Sequence, residues 1–221
     1  MSLTRIWSKN FLILLSNFKM LKKSMIKITK LLVIAFLFAL NANAEQPYLK
    51  FNVSKLKTDY ITQDGINYKD VYADEYDVYS LIGGYEFNEI FFEGRYFWSS
   101  EESKSGSATV GAVTVSGSTD VEIDGFSIGG GYNFNINENL RFKPSIHYVE
   151  IDVDANLNLT IAGSSFTFDA GGSDETIEGK MAIEYVVNDK IDFALNYSEY
   201  LDDITTTKDA STLGLEFRYK F

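Results

Sequence analysis

Cysteine is absent from the 221 residues, which excludes a disulfide framework and any thiolate metal site. Proline is nearly absent, with two residues in the chain, while aromatic side chains make up 15% and are mostly Tyr and Phe. That balance suits strands far better than helices. Basic residues are scarce once the N-terminal region is set aside. Residues 1 to 44 hold seven of the 20 bases and none of the 31 acids, leaving 13 bases against 31 acids and a net charge of −18 for residues 45 to 221. Such a chain is unsuited to nucleic acid, because phosphate binding needs clustered positive charge. Long hydrophobic runs are also missing after Ala44. If this part of the chain enters a membrane, it does so as strands closed into a barrel, which satisfies every backbone group in lipid. The acidic residues show no spacing that matches a calcium loop, and no cofactor is implied.

The N-terminal region is of another kind. In "MIKITKLLVIAFLFALNANAEQPY" a basic start at Lys27 and Lys30 precedes an apolar run from Leu31 to Leu40 and small residues at Ala42 and Ala44. This is the layout of a secretory signal peptide and predicts cleavage after Ala44. The run is only about half of the roughly 20 residues that a spanning helix needs, so a permanent anchor is the weaker reading. Residues 1 to 24 exceed a normal signal; Met20 or Met25 makes a better start, an unusually long leader being the alternative. The organisation is therefore a leader, 1–44, and one domain, 45–221.

Eight segments of that domain alternate in polarity, at about 48–57, 75–87, 90–99, 121–134, 140–152, 176–187, 191–200 and 210–221. Most approach the 9 to 11 residues of a tilted transmembrane strand. Their connections alternate in length. Three are tight, at Asn88-Glu89, at 135–139 and at 188–190; four are long or polar, at 58–74, 100–120, 153–175 and 201–209. An even strand number with short turns on one side and long loops on the other predicts an all-β, eight-stranded antiparallel up-and-down transmembrane barrel, with both termini on the short-turn, periplasmic side.

The faces fit this reading. Tyr79, Leu81, Gly83, Tyr85 and Phe87 share one face, as do Phe92, Gly94, Tyr96 and Trp98; Gly179, Met181, Ile183, Tyr185 and Val187; and Ile191, Phe193, Leu195 and Tyr197. These are assigned to lipid, with aromatics clustered at segment ends as an interfacial girdle. The opposite faces carry Lys50, Glu86, Glu93, Arg95, Arg141, Lys143, Glu178, Lys180, Glu184, Asp192, Glu216, Arg218 and Lys220. Seven bases and six acids nearly cancel. An eight-stranded barrel has room for little more than side chains, so a lumen plugged by paired charges is expected rather than a channel. Pro144 removes a ladder donor inside the fifth segment and predicts a bulge, which leaves the facing of His147 open.

The leader, the eight amphipathic segments, "FSIGGGYNF" at 126–134 and the terminal "FRYKF" resemble the small outer-membrane barrel family that includes OmpX, the OmpA membrane domain and the opacity-type porin-family proteins. The resemblance covers essentially all of 45–221 and implies the bacterial outer membrane as location, with its lipid and lipopolysaccharide as surroundings. The alternating Phe217, Tyr219 and Phe221 at the C-terminus are similar to the signal by which the barrel assembly machinery recognises its clients. An aromatic that anchors the last strand at the interface is the compatible alternative.

His147 is the single histidine and lies two residues from Ser145, with Glu150 nearby. Serine, histidine and a carboxylate suggest hydrolase chemistry. Lipid A deacylases resemble this chain as small barrels with a His and a Ser two residues apart, but in the reverse order. A place in the lumen or rim hydrogen-bond network is the stronger reading of His147. Loops 100–120 and 153–175 contain "SATVGAVTVSGST" and "NLNLTIAGSSFTFDA", each of which reads as two alternating arms about a small-residue turn. Strands three to six are thus expected to continue above the membrane as hairpins whose edges can capture a surface protein partner. Asp70, Asp74, Glu75, Asp77, Asp202 and Asp203 are read as a solvated rim. Three function classes follow: a non-enzymatic structural or adhesive surface barrel, which leads; a narrow pore; and a lipid-modifying enzyme.

Overall fold

Alternating side chains commit this chain to strands, and the computed structural model, which describes residues 46–60, 62–63, 66–67, 72–110, 113–161, 163–201 and 207–221, contains eight long ones. They are β1 (Gln46–Tyr60), β2 (Glu75–Phe87), β3 (Ile90–Ser99), β4 (Val113–Tyr132), β5 (Leu140–Ile161), β6 (Gly172–Val186), β7 (Ile191–Tyr200) and β8 (Thr207–Lys220). Each pairs antiparallel with the next. β8 then returns to β1, from Tyr48 opposite Lys220 to Tyr60 opposite Thr207, so the sheet closes into a barrel without a free edge in the ring. Met20, Met25, Ala42 and Ala44 lie outside the described residues, as do Asp70, Asp202 and Asp203.

The short turns are built by asparagine. Asn88 takes a left-handed φ of 55° in the two-residue link between β2 and β3, a conformation Asn tolerates better than most residues. Asn188 Oδ1 accepts from the N–H groups of Lys190 and Ile191 at 2.9 and 3.0 Å, and Asn137 Oδ1 from that of Asn139 at 2.9 Å. These three turns share one end of the barrel with the first residues of β1 and the last of β8.

Pro144 does not produce the expected bulge. β4 and β5 keep one register from Val115 opposite Ile161 to Gly131 opposite Ser145, and the short strand Phe134–Asn135 continues it against Phe142 and Arg141. Only the ladder is interrupted, beside Tyr132, because Pro144 has no N–H to give to the residue opposite; on the other side of the strand the Asn133 N–H continues the β3–β4 ladder onto Glu89 O at 2.7 Å. The facing of β5 is therefore unbroken and His147 points into the lumen. The register slips elsewhere. Trp98 lies opposite Asp124, but Glu102 lies opposite Val121, so one extra residue is absorbed just beyond β3.

Outward residues form an apolar band. On β8 it runs through Leu213, Leu215, Phe217, Tyr219 and Phe221, all exposed, and on β6 through Met181, Ile183 and Tyr185. Nine residues at about 3.4 Å each, tilted by about 40°, span roughly 20–25 Å, the height of an outer-membrane hydrocarbon band. Aromatic pairs line its terminal edge, including Tyr85–Phe92 at 5.4 Å and Phe193–Phe217 at 5.5 Å, while Trp98 stacks on Tyr79 and Tyr96 at the other. Beyond the band the outward positions turn charged: Lys55 meets Asp77 at 2.9 Å and Lys57 meets Glu75 at 3.0 Å.

Candidate functional site: the lumen and the projecting sheet

Period-2 geometry sends one face of every strand inward, and the thirteen charged residues of those faces all lie in the lumen. Twelve are buried; Arg141 is half-buried at the terminal end. Every one has an opposite charge in reach. Nearest the termini, Arg218 spreads over three carboxylates: Nε donates to Asp192 at 2.6 Å, Nη2 to Glu184 at 2.7 Å, and Nη1 to Glu86. Lys220 pairs with Asp192 at 3.1 Å, Lys143 with Glu86 at 2.8 Å and Glu184 at 3.4 Å, and Arg141 with Glu184 at 3.6 Å. Next, Lys50 lies between Glu93 and Glu216, which Lys180 also meets. Higher still, Arg95 forks onto Glu178 through bonds of 3.1 and 2.6 Å, with Ser127 and Ser198 completing the group.

Two aromatic side chains that charge counting passes over belong to this plug. Tyr48 is fully buried, donates to Glu93 at 2.9 Å, and lies under the guanidinium of Arg218 at 5.0 Å. Phe91 lies under Lys143 at 4.4 Å. Both are buried and contribute cation–π attraction. Their signal in the sequence is parity alone, since each shares a strand face with Lys50 or Glu93. Gly84 makes room for Tyr48: a Cβ there would sit 2.6 Å from the Tyr48 ring.

His147 and Ser145 both face inward, and His147 Nε2 lies 3.0 Å from Ser145 Oγ. Gly129 opens the space beside the imidazole, where a Cβ would meet His147 Cγ at 2.6 Å. The pair is not completed as a triad. His147 Nδ1 has no hydrogen-bond partner among the described residues, Glu150 lies on the opposite face of β5, and Glu178, across the ladder, is held by Arg95. An orienting carboxylate is what a serine–histidine pair needs to act as nucleophile and base.

Above the Arg95–Glu178 pair the lumen changes character. Leu56, Tyr76, Val78, Phe97, Val121, Ile123, Val149 and Ile151 form a buried apolar cluster on the same faces that carry charge lower down. The barrel interior is thus layered, ionic toward the termini and apolar toward the long loops.

Beyond the barrel, β4 and β5 stay paired to Val115 and Ile161. Glu102–Val110 adds to the free side of β4, and Ser164–Asp169 to that of β5. The two hairpins of the 100–120 and 153–175 loops are therefore one four-stranded sheet. Its outer face is polar: Asp120 accepts from Ser103 at 2.6 Å and from Asn158 at 3.4 Å, and Thr167 donates to Asn158 at 2.8 Å. The lumen-side face carries Leu157 and Leu159 opposite Phe168 and Phe166, and both phenylalanines are about half exposed. Among the described residues, no three His, Cys, Asp or Glu side chains gather as a metal site.

A family model described as outer membrane protein beta-barrel domain matches residues 29–221. Solved structures are similar to this chain. Ail, the attachment invasion locus protein of Yersinia pestis, is 14% identical, with a TM-score of 0.46 over 80% of this chain and 97% of Ail. Neisserial surface protein A is 14% identical, with a TM-score of 0.49 over 79% of this chain and 97% of that one. The outer membrane protease OmpT of Escherichia coli is 10% identical, with a TM-score of 0.39 over 80% and 97%. No curated protein matches the sequence.

Proposed function

The chain belongs to the outer membrane protein β-barrel family, and from that premise we propose that residues 45–221 form a non-enzymatic surface barrel of the bacterial outer membrane with a structural or adhesive role. The leader is removed after Ala44, the barrel assembly machinery reads Phe217, Tyr219 and Phe221, and both mature termini are periplasmic. Membrane lipid and lipopolysaccharide then surround the apolar band, and the four-stranded sheet stands outside the cell.

That sheet is the observation that carries the reading. Its outer strands, Glu102–Val110 and Ser164–Asp169, each pair on one side only among the described residues. An edge with unspent donors and acceptors is a template for an incoming strand. A lumen filled by paired side chains supports a barrel that binds rather than conducts, because a water path would require pairs such as Arg95–Glu178 and Arg218–Asp192, whose carboxylates are 0% exposed, to part. The same layers enclose Ser145 and His147 and keep them from lipid.

Residues 45–221, refolded into a planar lipid bilayer after a heat-shifted gel mobility shows a closed barrel, should give no discrete conductance steps. Replacing 103–120 and 155–170 by short turns should leave that mobility and silence intact while abolishing the attachment of cells that display the protein to a partner surface. Reproducible conductance steps would make this a small pore, and undiminished attachment would remove the sheet from the function.

A further inference from the structure

An apolar cavity of about 180 Å³ lies in the long-loop half of the lumen, above the ionic layers. Its walls include Leu56, Phe97, Ile123, Ile151 and Ala155, and it extends to Gly171 and Thr207 at the strand ends. The cavity is partly open, and space of this size inside a barrel is uncommon, since voids larger than a water molecule are few in a packed interior. An apolar cavity of about 150 Å³ is already large enough to stay dry and hold a benzene ring.

Hydroxyl groups of Thr58, Tyr60 and Tyr76 interrupt the apolar lining. Thr58 lies on the cavity wall, is 8% exposed, and its Oγ1, beside the Tyr60 hydroxyl, completes no hydrogen bond of normal geometry among the described residues. A buried hydroxyl left without a partner is unfavourable, and a ligand that supplies one gains by it. Nearby, the Tyr60 hydroxyl donates to Ala73 O at 2.7 Å and lies 3.1 Å from that of Tyr76. Burial raises both phenols above their ordinary range, so this end of the cavity presents neutral hydroxyls and no fixed positive charge.

We infer that this cavity binds a small neutral amphiphile of about six to eight carbon atoms with one hydroxyl group, an aliphatic alcohol or a phenol, whose hydrocarbon fills the apolar space and whose hydroxyl pairs with Thr58. Size sets the carbon count, the wall sets the apolar body, and Thr58 Oγ1, the lining hydroxyl left without a well-formed bond while that of Tyr60 is bonded to Ala73, sets the position of the hydroxyl. A carboxylate of the same length is disfavoured, because the domain carries 31 acids against 13 bases and no base is among the described residues that line the cavity. This site is separate from the edges of the projecting sheet and stands whether or not those edges bind a partner.

The test is methyl NMR of the barrel in lipid nanodiscs, titrated with n-hexanol, n-hexane or hexanoate. Ile123 and Ile151 report the cavity, while the outward Ile146 and Ile183 report simple partition into the bilayer. Hexanol should shift Ile123 and Ile151 saturably and leave Ile146 and Ile183 on the unsaturating course of the lipid. Ala155→Leu, which fills the cavity, should abolish the saturable shift; Ala210→Leu serves the same purpose should the first variant fail to close a barrel. Thr58→Val should weaken hexanol at least about fivefold, as expected from loss of a hydrogen bond of about 1 kcal/mol, without changing hexane. Parallel shifts at all four isoleucines, a saturable shift that survives both leucine variants, or hexanoate binding as tight as hexanol would each overturn the inference.

Discussion

Arg218 holds more of the lumen together than any other described side chain, since its one buried guanidinium meets Glu86, Glu184 and Asp192. A planar fork with five donors can satisfy three carboxylates at once; an ammonium, with three donors at one point, cannot hold the same spread. Arg218→Ala would leave those buried carboxylates short of positive charge. Such removal should cost about 3–5 kcal/mol of barrel stability, read as a lower urea midpoint for unfolding from lipid vesicles. The Arg95–Glu178 pair provides the contrast. Either single change, Arg95→Met or Glu178→Leu, should be costly, but the double variant should recover most of the loss, because removing both charges leaves neither uncompensated. At this scale the sequence reveals which residues face inward, since alternation alone separates Lys50 and Arg218 from Phe51 and Phe217. It does not reveal who pairs with whom. Strand tilt brings Arg218 to Glu86, 132 residues away, and period 2 carries no information about tilt.

β5 shows what a single strand can and cannot announce. Its 22 residues cross the membrane and continue into the projecting sheet in one register with β4. Pro144 looks like a break because a proline in a paired strand forfeits a donor, but the register absorbs it where β4 gives way to Phe134–Asn135, and nothing is displaced. The slip beyond β3 has no comparable marker, for Ser99, Ser100 and Glu101 are neither Gly nor Pro. Ser99 contributes instead through its hydroxyl, which accepts from Ile123 N–H at 2.8 Å. Each hairpin arm is visible locally as alternation about small residues. Their union into one sheet is not, because it rests on the pairing of two strands above the membrane, a nonlocal contact. The ladder reading of Pro144 makes a prediction. Pro144→Val supplies the missing N–H on a lipid-facing position, so it should raise stability by about 0.5–1.5 kcal/mol and slow amide exchange around Tyr132 and Asn133. Unchanged or faster exchange there would mean that the interruption has another cause.

Across the whole molecule, closure depends on the two ends of the domain meeting. β8 pairs with β1 over the length of both strands, and Phe221 N–H adds a last bond of 3.1 Å to Pro47 O. The legible part of this architecture is its strand count and its sorting of short turns from long loops, because turns and alternation are local; the apolar upper lumen was not legible, since Leu56 and Ile123 read simply as strand residues until the charges below them are seen. Phe221 itself remains 68% exposed, with its ring set edge-on to Tyr219 at 5.3 Å. So exposed a ring contributes to interfacial anchoring but cannot be a keystone of the packing. Two roles for it separate experimentally. If Phe221 only anchors β8, Phe221→Ala should lower the stability of the refolded barrel and its accumulation in the outer membrane to the same small extent. If it is read by the assembly machinery, barrel stability after refolding into vesicles should fall by no more than about 1 kcal/mol, a fraction of the value of a fully buried Phe, while the heat-shifted form in cells falls severalfold. The two roles divide on whether the loss in cells exceeds the loss of stability, because a ring that only anchors the finished barrel lowers both together, whereas one recognised before the barrel closes lowers its accumulation beyond that.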